Sequence, residues 1–249
     1  MSITVLLTGF GPFAGASFNP TTALPGRLAA RRRPALAGVK RIAHVFRTSY
    51  AAVDRDLPAL IARTRPDVVL LFGVATRTNY LRIETRARNA RSVLFSDVDG
   101  HRPNKIAIAN GAAGSLVGGA PHPVLLAALR AKGLPARLSH SAGRYLCNFV
   151  YWRALAAAHG RQAPLVQFIH VPTVRRAPMR PAASRRLTAA DLLRAGEAIL
   201  LTLVTASRRR QQRAAAAVAG EVERPAKRKS RQAVAAGGRS RAAAHSHPG

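Results

Sequence analysis

Val68-Val69-Leu70-Leu71-Phe72-Gly73 is the stretch on which the fold turns. Five successive apolar residues, with Asp67 before them and a glycine after, are too short for a helix. They carry none of the polar alternation of a strand with one wet face, so they read as a strand buried on both sides, as in a parallel sheet covered by helices. Ile3–Leu7 and Leu165–Ile169 repeat the pattern, and Val39–Phe46, Ile106–Ala109 and Ala136–Ser139 are further short strands. Between them lie helical stretches at Thr21–Arg33, Tyr50–Arg63, Pro123–Lys132 and Tyr145–His159. A last helix runs over Thr188–Thr205, with Thr188 as N-cap and Asp191 in its first turn. Strands alternating with helices of this length predict an α/β protein: a single three-layer α/β/α sandwich around a largely parallel, twisted sheet.

The 249 residues are 48% hydrophobic, enough for one substantial core. The expected division is a domain over residues 1–205 and a basic, Ala/Arg-rich tail over 206–249. Within that tail Pro225-Ala-Lys-Arg-Lys-Ser230 and the Gly/Ala/His ending lack apolar surface to bury, and disorder is expected. No apolar run approaches the roughly 20 residues of a membrane span. The first strand follows Met1 too closely for a signal peptide, and a single cysteine allows no internal disulfide; both lead to the expectation of a cytoplasmic protein.

The net charge of +30 divides into +9 beyond Ala206 (11 Lys/Arg against two Glu) and +21 before it (29 against eight acids). Such a surface draws polyanions by salt-sensitive, sequence-independent attraction. Only five of the 40 cations are lysines and alanine is abundant, so a compositional bias toward Arg and Ala accounts for the charge equally well. No RNA-binding aromatic motif, zinc spacing or helix-turn-helix accompanies it. His44, His101, His122 and His140 are too scattered for a metal site, and only a loose metal contact is read at His245 and His247. Asp97-Val98-Asp99-Gly100 reads as a turn, with too few oxygen ligands for calcium.

In open α/β sheets reacting groups collect where strands end and helices begin. Cys147 falls there, in Ser141-Ala-Gly-Arg-Tyr-Leu-Cys147-Asn148, where a turn hands over to the apolar helix. Unpaired amides and the positive end of a helix dipole favour thiolate over thiol. His170 closes the last strand and is the candidate base. Glu84 is one of ten acids, set among Arg82, Arg86, Arg88 and Arg91; it reads either as a salt-bridge partner or as the group orienting His170. Gly9-Phe10-Gly11-Pro12-Phe13 lacks the further glycine of a dinucleotide loop, and Pro12 removes an amide, so Phe10 and Phe13 read as pocket walls or core plugs.

Thr8-Gly9-Phe10-Gly11-Pro12-Phe13 with Asn19-Pro20, Glu84 eleven positions after Gly73, Ser141-Ala-Gly with Cys147-Asn148, and Phe168-Ile-His170-Val-Pro172 together resemble the pyroglutamyl-peptidase I (pyrrolidone-carboxylate peptidase) family of cysteine peptidases, in order across Ile3–Thr205. The resemblance implies an exopeptidase that removes an N-terminal pyroglutamyl residue from peptides and uses no cofactor or metal, on a domain of a kind that often assembles as a homo-oligomer. It implies Cys147 as nucleophile, His170 as base and then acid, and Glu84 as orienting carboxylate. Phe10, Gly11, Phe13, Val74, Tyr145 and Leu146 would bind substrate. Departures fall after the third strand: Gly73-Val74-Ala75-Thr76-Arg77-Thr78 stands where the family has Gly-Gln-Ala-Gly-Gly-Arg, with Thr85 and Arg91-Ser92 in place of an arginine and paired acids. Two other readings stay open: a cysteine hydrolase with a different acyl or amide substrate, and a non-catalytic basic scaffold for polyanions.

Overall fold

A computed structural model describes residues 2–14, 16–158, 163–174 and 186–237, with side chains up to residue 219. Its centre is a six-stranded sheet. β1 (Ile3–Phe10), β2 (Val39–Phe46), β3 (Val68–Val74), β4 (Leu81–Glu84), β7 (Ala136–Ser139) and β8 (Leu165–Val171) lie in the order β2-β1-β3-β8-β4-β7. The four strands from β2 to β8 are parallel, β4 runs antiparallel to β8, and β7 runs parallel to β4. A two-stranded ribbon of β5 (Arg86–Arg88) and β6 (Ser115–Val117) stands apart.

Alternation along each strand divides the core in two. Val5, Leu7, Leu70, Phe72 and Ile169 pack on one face with α1 (Leu24–Ala29), α3 (His122–Arg130) and the first part of α5 (Ala189–Gly237). Leu6, Val69, Leu71, Val166 and Phe168 pack on the other with α2 (Tyr50–Thr64) and α4 (Leu146–Ala156). The uninterrupted apolar runs supply both faces at once, which is why β1, β3 and β8 occupy the middle of the sheet.

Several elements differ from the sequence reading. Ile106–Ala109 is not a strand: the amides of Ile108 and Ala109 bond to Asn89 Oδ1 at 2.8 and 2.9 Å and Ala109 O receives Asn89 Nδ2, so a side chain takes the place of a neighbouring strand. α1 begins at Leu24, not Thr21, because Thr21 and Thr22 turn back to bond Phe10 O through their hydroxyls. His159, the expected end of α4, lies outside the described residues, as do His245 and His247. The backbone is helical to Gly237, past the expected end at Thr205, along a stretch rich in the strong helix formers Ala, Arg, Gln and Lys. The chain divides into two compact units, 1–207 and 208–249.

Gly9 answers to backbone packing. A Cβ there would lie 2.0 Å from the carbonyl oxygen of Thr21, the residue that ties the 11–22 loop to β1. Because the obstacle is main chain, Gly9→Ala should cost about 3 kcal/mol, at the upper end of overpacking effects, read as a lower midpoint in urea unfolding.

Candidate active site

The register sets the site out before any side chain is considered. Gly73 of β3 and Arg82 of β4 both pair with His170 of β8, and Glu84 pairs with Phe168, two residues before it. Paired residues share a face, so Gly73, His170 and Arg82 form one row across three strands, with Phe168 and Glu84 in the row below. This is the α2/α4 face.

Glu84 is fully buried and His170 nearly so. The Nδ1–H of His170 donates to Glu84 Oε1 at 2.8 Å, and Arg82 Nε lies 3.1 Å from the same oxygen. The Glu84 main chain is fixed as firmly: its carbonyl accepts from Tyr151 Oη at 3.1 Å and Gln167 Nε2 at 3.0 Å. Arg82 also reaches Ser139 Oγ at 2.7 Å and the carbonyl of Ser141, in the turn leading to α4.

Cys147 is the second residue of α4, after the N-cap Tyr145. The amides of Leu146, Cys147 and Asn148 precede the first intrahelical bond, from Phe149 N–H to Tyr145 O, and so point out of the helix end. Asn148 anchors that end: buried, it accepts from the Arg88 amide and donates to the Arg88 and Ala90 carbonyls, all at 2.8–2.9 Å. The Cys147 sulfur lies directly over Gly73, where a Cβ would come within 2.7 Å of it and of the Phe168 ring. Since Gly73 is the neighbour of His170, the sulfur meets the imidazole, and the two side chains hydrogen bond. With Nδ1 committed to Glu84, Nε2 is the nitrogen left for sulfur. Burial alone would lower the His170 pKa; the charge and hydrogen bond of Cys147, then those of Glu84, outweigh it and raise the group to about 9. Cys147 is half-buried and so reachable.

The remaining sequence candidates are spread over the same rim. Phe10 is buried at the end of β1 against Phe46, with Leu146 in the same core and Tyr145 packed on it. Gly11 donates to Phe46 O at 2.9 Å, while its carbonyl is held by Asn19 and Thr48. Half-buried Phe13 forms an isolated bridge with Ala16. Val74 pairs with Val171 of the opposite core, so its side chain faces away from the row of Gly73 and His170. Asp97 caps its own turn, its Oδ1 accepting from the Asp99 and His101 amides. Arg82, Gly73, Tyr151 and Gln167 were not singled out from sequence as site residues. Tyr151 carried a signal, lying four residues after Cys147 on one helical face; Gly73 carried another, as the glycine ending a strand of large residues. Among the described residues no group of His, Cys, Asp and Glu suited to hold a metal is gathered.

The family model described as pyroglutamyl peptidase matches residues 3–185. The pyrrolidone-carboxylate peptidase of Gloeobacter violaceus is 32% identical over 80% of this chain and 96% of its own, and that of Thermococcus onnurineus is 34% identical over 68% and 84%. The solved structure of pyrrolidone carboxyl peptidase from Thermococcus litoralis superposes with a TM-score of 0.72 at 25% identity, covering 82% of this chain and 94% of that one.

A raised imidazole pKa links to stability: its contribution is complete below the ordinary value of 6.5 and is lost as pH rises through about 9. Proton-detected NMR should show the His170 ring titrating near pH 9. In Cys147→Ala, where burial acts against fewer compensating contacts, the titration should move down.

Proposed function

The chain belongs to the pyroglutamyl peptidase family, and we propose that it cleaves the bond after an N-terminal pyroglutamyl residue with Cys147 as nucleophile, His170 as proton carrier and Glu84 as the carboxylate that orients it. The observation that carries this reading is the row itself: sulfur over Gly73, imidazole beside Gly73, and carboxylate 2.8 Å from the far ring nitrogen.

The chemistry follows from those positions. His170 Nε2 takes the proton from Cys147 Sγ, and the sulfur adds to the carbonyl carbon of the pyroglutamyl residue. Negative charge gathers on the carbonyl oxygen, within the field of the amides that open α4. The imidazolium then gives its proton to the departing amine nitrogen as the C–N bond breaks, leaving a thioester on Cys147. Water, deprotonated by His170, attacks the thioester and releases pyroglutamate, and the thiol recovers its proton. Glu84 keeps Nδ1 protonated throughout and balances the ring's charge at each protonation. A pyroglutamyl terminus carries no ammonium group, so apolar walls such as Phe10 and the Tyr145 ring suit it; Gly11, Phe13 and Leu146 belong to the same rim. Val74 contributes from the opposite core, through the shape of the β3 terminus.

A working thiol suits a reducing compartment, consistent with cytoplasmic residence. The chemistry does not call on the surplus of arginine, whose attraction for polyanions would be a separate property of the surface and tail. Assembly into a homo-oligomer would leave the three reacting groups within one chain.

Cys147→Ala should abolish hydrolysis of a pyroglutamyl-amide reporter, and retained turnover would end the assignment. Gly73→Ala should fold, since its obstacles are a side-chain sulfur and a ring edge, yet lose about 10²-fold in kcat/KM through displacement of the sulfur. Because the leaving amine is protonated by imidazolium, activity should hold through pH 7–8 and fall as pH rises through about 9. Glu84→Gln, by removing a group that raises the pKa, should bring that limb to lower pH.

A further inference from the structure

One buried side-chain donor against the start of the helix that carries Cys147 is unclaimed: the hydroxyl of Tyr50. Tyr50 opens α2 and is 3% exposed. Its amide donates to Asp97 Oδ2 at 2.9 Å, and its ring stands edge-on to Phe149 at 4.9 Å and to Tyr145 at 6.0 Å between centroids, wedged against the first turn of the helix that carries Cys147. The hydroxyl has no hydrogen-bond partner among the described residues. Tyr145 differs, since its hydroxyl donates to Ser96 O at 2.8 Å. Burial foremost, then Tyr145, Asp97 and Cys147, push the Tyr50 phenol well above its ordinary value, while Arg91 pulls it back. The group is therefore a neutral donor within electrostatic reach of the nucleophile.

An unpaired buried hydroxyl costs stability unless something else satisfies it. Tyr50 belongs to the same core as Phe10 and Phe149, with Tyr145 packed against it, and the ring of His101 also stands edge-on to it at 6.1 Å between centroids. A pyroglutamyl residue brings two carbonyl oxygens, one in its lactam ring and one on the scissile acyl group. The scissile one has the amides that open α4; the lactam one needs its own donor. We propose that the Tyr50 hydroxyl donates a hydrogen bond to the lactam carbonyl oxygen of the bound pyroglutamyl residue and is a specificity-determining contact. This rests on the peptidase reading above. A site built to hydrogen-bond a ligand oxygen discriminates against rings that lack it, and it holds an unpaired donor until that ligand arrives.

Tyr50→Phe keeps the ring contacts and deletes only the oxygen. Its melting temperature should be no lower than that of the wild type, because no protein partner is lost. KM for a pyroglutamyl-amide reporter should rise about tenfold with kcat changed by less than about twofold, a factor within reach of one hydrogen bond. The inhibition or dissociation constant for 2-pyrrolidone, the lactam ring without a scissile carbonyl, should rise by the same factor. Unchanged affinity for 2-pyrrolidone overturns the proposal, as does a loss confined to kcat, which would put the hydroxyl on the scissile carbonyl, or a lowered melting temperature, which would give it a structural partner. A wild-type chain that binds 2-pyrrolidone without hydrolysing the reporter would defeat the peptidase reading alone, and the ring titration would still decide Tyr50.

Discussion

A carboxylate with no exposed surface, 2.8 Å from an imidazole that is itself almost enclosed, is the interaction on which the rest of the site depends. A buried charge persists only when it is paired and hydrogen-bonded. Glu84 meets that condition on Oε1, through His170 and Arg82, while Oε2 has no hydrogen-bond partner among the described residues; Tyr151 and Gln167 fix its main-chain carbonyl instead. The imidazole meets it through Glu84 on one nitrogen and Cys147 on the other. Remove the carboxylate and the ring would be left in a medium that favours its neutral form, free to rotate or change tautomer. Holding the ring and keeping its charge tolerable are thus one function of one side chain.

The central strands were legible because a run as short and apolar as Val68–Phe72, ended by Gly73, fits burial on both faces of a sheet, and the whole strand is buried. β4 was not. Leu81-Arg82-Ile83-Glu84 alternates apolar and charged residues, the usual mark of a strand with one wet face or of a loop. Here the charged side turns inward, and Glu84 and Arg82 satisfy each other and His170 where solvent would otherwise do so. Sequence pattern cannot distinguish a charge facing water from a charge facing its partner. Ile106–Ala109 failed for a related reason: apolar composition suggested a ladder, but one distant asparagine, Asn89, supplied the bonds.

The proposed trio could be picked out because chemistry restricts residue type: a lone thiol before a helix, a histidine at a strand end, an acid in a basic chain. Its supports were hidden because they act through main chain. Tyr151 and Gln167 bond a carbonyl, Gly73 matters for the side chain it lacks, and Asn148 holds a helix end by two carbonyls and an amide. Any residue type offers those main-chain partners, so spacing alone does not reveal them.

Arg82 shows how Cys147, the proposed nucleophile, and Glu84 stay in register across separate elements. Its guanidinium contacts Glu84 on β4, Ser139 at the end of β7 and the Ser141 carbonyl in the turn that feeds α4. The strand carrying the acid is thereby tied to the segment that delivers Cys147, while β8, paired with both β3 and β4, carries His170 between them. A shift of the 139–141 turn would strain the same cation that steadies Glu84, so the sulfur cannot drift from the imidazole without disturbing the carboxylate behind it. In a chain so rich in arginine, it is the fork of donors, reaching three elements at once, that makes this one structural; a point charge in the same place would hold the acid and leave the helix free.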